Sequence, residues 1–150
     1  KDPLKAIEKL MEEKQSLEKK IERMEARHLV AIRNELLQKD QIINSVNFIG
    51  EIVSVDNAEA LKKICLDLKN NIRDHVAVIC ANIDGKPFVA IGIAETVNVA
   101  RGLDASKIIK EHVAPLIKGG GGGQKTLATA GGQDAGQLKQ VIEKVKELLN

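Results

Sequence analysis

A long helical arm followed by a mixed α/β (α+β) domain, with helices covering a mixed sheet, is the fold class the sequence predicts. Three observations carry it. Residues 2 to about 38 repeat apolar side chains in steps of three and four. From residue 47 onward, short runs rich in Ile and Val alternate with helical patterns. Between two such runs lies Asp84-Gly85, the signal of a tight hairpin turn. The expected division is a coiled-coil-like helical arm and dimerisation subdomain over 1–46 and a globular α/β subdomain over 47–150.

Asp2 is placed to cap the arm, and Pro3 suits the first helical turn because its missing N–H is not needed there. The seam runs Ile7, Leu10, Lys14, Leu17, Ile21, Met24, His28, Ala31, with six of eight positions apolar. Charged pairs such as Lys9 with Glu13 lie at helical-neighbour spacing on the other faces, which reads as a solvated surface. A helix this long outreaches a domain of about 100 residues. Ile7, Leu10, Leu17, Ile21 and Met24 are therefore expected to mediate self-association, with packing on the chain's own domain as the alternative.

After a polar hinge near 38–41, residues 47–55 predict a strand. Asp56 or Asn57 caps a helix through about Arg73, with Ala60, Leu61, Ile64, Leu68 and Ile72 on one face. Strands over 76–82 and 88–94 flank the Asp-Gly turn, and Asp104 starts a helix through about Ile117. A glycine run, Gly119–Gly123, precedes a short apolar piece at 127–130. A last helix from about Asp134 to Leu149 turns Leu138, Val141, Ile142, Val145, Leu148 and Leu149 inward.

Composition narrows the function classes. Apolar residues make up 43% and aromatics 1%, so the core must be aliphatic and no aromatic platform exists for stacking single-stranded bases. The net charge of +2 permits a local basic patch without implying a broad one. Cys65 and Cys80 sit in apolar segments and read as buried free thiols of a reducing, cytoplasmic setting. No apolar run approaches the roughly 18 residues that cross a bilayer, so no membrane partner is expected. Starting at Lys1 inside a helix-start signal, the chain reads as a piece of something longer.

Five consecutive glycines demand a reason. Without Cβ atoms their backbone approaches a ligand closely, and consecutive bare N–H groups are able to form an anion-binding nest. Lys118 and Lys125 flank the run with positive charge. A flexible linker is the competing reading. A nucleotide-binding P-loop is rejected, because Gln124 stands where its sixth position needs glycine and the run follows a helix instead of a strand.

The stretch from Lys118 to Gly132 resembles the signature of the DHHA1 domain that closes alanyl-tRNA synthetases, a variant of which closes DHH-type phosphoesterases. Gly119, Gly121, Gly122, Gly123, Ala128, Ala130, Gly131 and Gly132 match the synthetase form, while Gln124 and Lys125 stand where Arg and Pro are usual. The phosphoesterase form carries His directly after the glycines. This resemblance extends upstream to about Phe48, and the arm is similar to the helical subdomain that joins synthetase subunits. It implies a non-catalytic fragment that grips the outer corner of tRNA, where the D and T loops meet, and forms a homodimer. In that role it supports aminoacylation and editing by a parent alanine-tRNA ligase. The alternative it implies is the substrate-binding domain of a phosphoesterase. Expected RNA contacts are Lys118, Gly119, Gly120, Gly121, Gly122, Gly123, Gln124 and Lys125, with Arg101 and Lys107 near the start of the preceding helix adding phosphate contacts.

No catalytic constellation is expected. His28, His75 and His112 are far apart without Cys or Asp partners at ligand spacing, so neither a metal nor a cofactor is expected in this fragment. Ser16, Ser45, Ser54 and Ser106 lack the context of an activated nucleophile.

Overall fold

The structure, a computed structural model, describes residues 2–149. Helix α1 (Pro3–Gln38) is capped by Asp2, whose carboxylate accepts the Leu4 N–H at 3.0 Å. Its 36 residues extend roughly 54 Å at the α-helical rise. Among the described residues, its last three turns meet the rest of the chain. Ile32 and Leu36 are buried, and Leu29 and Leu37 are partly so. Before them, His28 Nε2 lies 2.9 Å from the Ser54 carbonyl, so this seam residue contacts the body.

The body is a six-stranded sheet with helices on both faces. Its strands are β1 (Gln41–Ile43), β2 (Val46–Ile52), β3 (His75–Ile83), β4 (Lys86–Ile93), β5 (Gly120–Gly123) and β6 (Leu127–Gly131), in the spatial order β1-β2-β3-β4-β6-β5. Only β2 and β3 run parallel, joined by α2 (Ala58–Asn71), because a parallel pair needs a crossover. Asn57 caps α2 by accepting the Ala60 N–H at 2.9 Å. Asp84 and Gly85 both take positive φ, as the β3–β4 hairpin turn requires.

The central strands alternate between two apolar layers. Val76, Val78 and Cys80 face the side covered by α6 (Leu138–Glu147) and the helical segment ending at Ile117. Ala77, Ile79 and Ala81 face α2 and the end of α1. Covering both faces explains why β3 reads as a nearly continuous apolar run.

Several features depart from the sequence reading. The chain enters the sheet already at Gln41, through the three-residue strand β1. A helix, α3 (Glu95–Arg101), follows β4 directly. The strand begun at Val46 stops at Ile52, short of residue 55. The helix begun by Asp104 runs as α4 (Ala105–Ile108), a π turn (Ile109–Val113) and α5 (Ala114–Ile117). Pro115 explains the widening: it has no N–H for the Glu111 carbonyl, and its ring crowds that oxygen. The last helix opens with a 3-10 turn (Ala135–Gln137), capped by Asp134 through the Gly136 N–H at 2.9 Å.

Candidate nucleic-acid interface

The glycine run forms neither a flexible linker nor a nest: Gly120–Gly123 is the edge strand β5, antiparallel to β6. Gln124 N–H closes the hairpin by donating to the Leu127 carbonyl at 2.8 Å. Glycine has poor strand propensity, so the neighbour imposes this conformation. In an extended chain successive N–H groups point to opposite sides. They cannot converge on one anion as a nest would. One set bonds β6, and the other lies along the open edge of the sheet.

Steric fit divides the glycines. A Cβ at Gly119 would stand 2.0 Å from the Gly131 carbonyl oxygen, at Gly121 2.1 Å from that of Thr129, and at Gly123 2.6 Å from that of Leu127. These three are glycine because β5 lies against the β6 backbone. At Gly120 an added Cβ meets nothing within 4 Å, and at Gly122 only Lys110 Cε at 3.7 Å. The fold does not require glycine at those two positions. A shallow groove of about 260 Å³ opens over the strand, bounded by Ala58, Leu61, Phe88 and Thr129 and floored by Gly120–Gly122.

The expected cations fall in three places. Lys118, in left-handed backbone conformation, stands at one end of β5. Lys125 is in the turn at the other end, roughly 20 Å of extended chain away. Lys107 joins Lys125, because α4 is tied to that turn by the Ala105 N–H donating to the Lys125 carbonyl at 2.8 Å. Arg101 is elsewhere. Its guanidinium donates to the carbonyls of Asn44 and Leu149, bracing the β1–β2 turn near the opposite edge of the sheet. Lys110, which sequence reasoning passed over, lies beside Gly122. Its spacing of three from Lys107 was the available signal, since both then share a helix face.

Two cysteines and one histidine are buried. Cys65 and Cys80 are free, and burial pushes both thiols up to about 12. His75 is 1% exposed at the start of β3, held down to about 4 by burial and by the Lys69 charge. Among the described residues no three His, Cys, Asp or Glu side chains form a metal-binding group, and no helix is long and apolar enough to cross a membrane.

Comparisons with known proteins agree with this architecture. The DHHA1 domain family matches residues 45–150. Alanine–tRNA ligase of Cytophaga hutchinsonii is 34% identical over 149 residues, covering 99% of this chain and 17% of the relative. That of Bacteroides fragilis is 35% identical over 144 residues, covering 95% and 16%. This chain therefore spans about a sixth of the length of these relatives. Among solved structures, the C-Ala domain of Aquifex aeolicus alanyl-tRNA synthetase superposes with a TM-score of 0.66 at 23% identity, covering 73% of this chain and 96% of that one. A DHH domain described as a member of the S1p family of ribosomal proteins gives 0.59 at 16% identity, covering 91% and 33%. At these identities the two structures speak to the fold alone. The glycine signature, the six-stranded sheet and the match over residues 45–150 lead to one assignment: the chain belongs to the DHHA1 domain family, and its sequence relatives are alanine-tRNA ligases.

Proposed function

We propose that the chain is the C-terminal, tRNA-gripping and self-associating part of an alanine-tRNA ligase, acting in the cytoplasm. It is non-catalytic itself and supports aminoacylation and editing by the parent enzyme. The observation that carries the reading is the glycine edge strand with Lys107, Lys110, Lys118 and Lys125 around it. Main-chain groups along an edge without side chains reach a folded RNA surface closely, and lysines act as point charges on phosphates. A tRNA corner is a rigid shape, so the scarcity of aromatic residues is no obstacle. The runner-up, a phosphoesterase substrate domain, shares the fold. Gln124 in place of His after the glycines and the alanine-tRNA ligase relatives favour the synthetase reading. The proposed homodimer rests on the arm's exposed apolar seam.

Binding of folded tRNA across a salt series tests the RNA surface. Lys118→Ala with Lys125→Ala should weaken binding and flatten the salt slope by about 0.7 to 0.9 per lost phosphate contact. Gly120→Val, where the fold has room, should lower affinity while leaving the slope nearly unchanged. Unchanged affinity in both variants would remove the glycine edge from the interface.

A further inference from the structure

Behind the Gln124–Thr126 turn lies a small pocket of about 70 Å³ that the RNA surface does not account for. Its inner wall is His75, 1% exposed, and neither ring nitrogen has a hydrogen-bond partner among the described residues. A buried imidazole without partners is costly, so an occupant that hydrogen-bonds to it is the economical explanation. The pocket is kept open at Gly92. An added Cβ there would stand 3.4 Å from Cys65 Cβ and 3.9 Å from His75 Nε2, in ordinary contact and inside the space. At about 30 Å³ per water, the volume holds about two waters or one small ion.

The lining fixes the sign of that occupant. Lys69, Gln124 and Thr126 are on its wall, residue types that offer a cation, an amide and a hydroxyl, and no carboxylate lines the pocket among the described residues. We propose that this pocket binds a small oxyanion of the phosphate type, with Lys69 supplying charge and His75, Gln124 and Thr126 donating to its oxygens. Cys65, also on the wall, stays a neutral thiol and adds no opposing charge. Of the groups facing His75, Lys69 and Cys65 come from α2, Gln124 and Thr126 from the turn, and Gly92 and Ile93 from β4. Only Lys69 and Cys65 ionise. With no anion bound, burial and Lys69 keep the imidazole neutral. A bound anion reverses that balance, so binding and protonation of His75 reinforce each other. The oxyanion has two possible sources, a backbone phosphate of bound RNA or a free phosphate. The pocket itself does not depend on the tRNA reading.

The test follows the His75 imidazole resonances of the 150-residue chain by NMR while sulfate, a probe that keeps its charge across the range, is added. A saturable shift is expected, with affinity rising as pH falls from neutrality toward the imidazole's own titration. Lys69→Met should weaken it about tenfold, the loss of one charge-assisted hydrogen bond. Gly92→Ala should weaken it by placing a methyl group inside the pocket, and it retains the His75 imidazole that the measurement follows. Folded tRNA added to the sulfate-loaded chain then separates the sources. Displacement of sulfate identifies a backbone phosphate, and retention identifies a free anion; both leave the pocket an oxyanion site. No shift with sulfate or inorganic phosphate, or an equal shift in Gly92→Ala, overturns the proposal. Either result leaves the tRNA reading to stand or fall on its own experiment.

Discussion

Within α1 one amphipathic pattern meets two fates. Ile32 and Leu36 are 8% and 2% exposed against the body, whereas Ile7 and Met24, earlier on the same helix, are 53% and 67% exposed. Both stretches have helical spacing and comparable side chains. What differs is whether a neighbour lies within reach: α2 and the sheet meet the last turns, and the arm projects past them. A periodic apolar face therefore states that something covers it, without stating what. The body teaches the complementary lesson. With so few aromatics it still closes two aliphatic layers, because both faces of β3 find helices.

The largest expected effect separates the two regions by stability. Ile79→Ala, in the fully buried centre of β3, should cost about 2 to 5 kcal/mol. Ile21→Ala, on the exposed arm, should change the body's stability by about 0.5 kcal/mol or less. Chemical denaturation followed by circular dichroism reads both, and equal losses would erase the distinction.

Acid should act on the body next. His75 titrates near 4 in the fold and near 6.5 when unfolded, so the unfolded chain takes the proton first. Stability is complete above the unfolded value, falls as pH drops through the window between the two, and levels off below the folded value. The loss is at most about 3 kcal/mol. His75→Gln should flatten this dependence if the variant folds; an unchanged acid profile in a folded variant assigns the loss to other groups.

The smallest effect on stability comes with a change in mass. Ile21→Glu should shift the species seen in sedimentation from dimer toward monomer and leave the body's melting temperature in place. An unchanged mass at micromolar concentration would separate the seam from self-association.

Much of this organisation was legible in the residues. The arm followed from the three-four spacing and the Asp2-Pro3 start, the hairpin from Asp84-Gly85, and three further helix starts from Asn57, Asp104 and Asp134. These are local signals, written where they act. Features decided by distant neighbours were not legible. β1 is too short to show an alternation, and Gly120–Gly123 is a strand only because β6 lies alongside. Which glycines the fold itself requires depends on carbonyls several residues away in sequence. Lys110 drew no reading from the sequence, because its place beside Gly122 is set by tertiary packing. Arg101 read as a phosphate contact, yet its guanidinium reaches carbonyls 57 and 48 residues away in the chain.

The claim that this fold reads the corner of tRNA is met most directly by one competition. A folded tRNA and the same tRNA with its D and T loops disrupted would be titrated against the 150-residue chain over one salt series. The folded form should bind at least about tenfold tighter at every salt concentration, because shape contacts worth about 1.4 kcal/mol or more persist when phosphate contacts are screened. Equal affinities for the two RNAs would reduce the interaction to charge alone and contradict recognition of the corner.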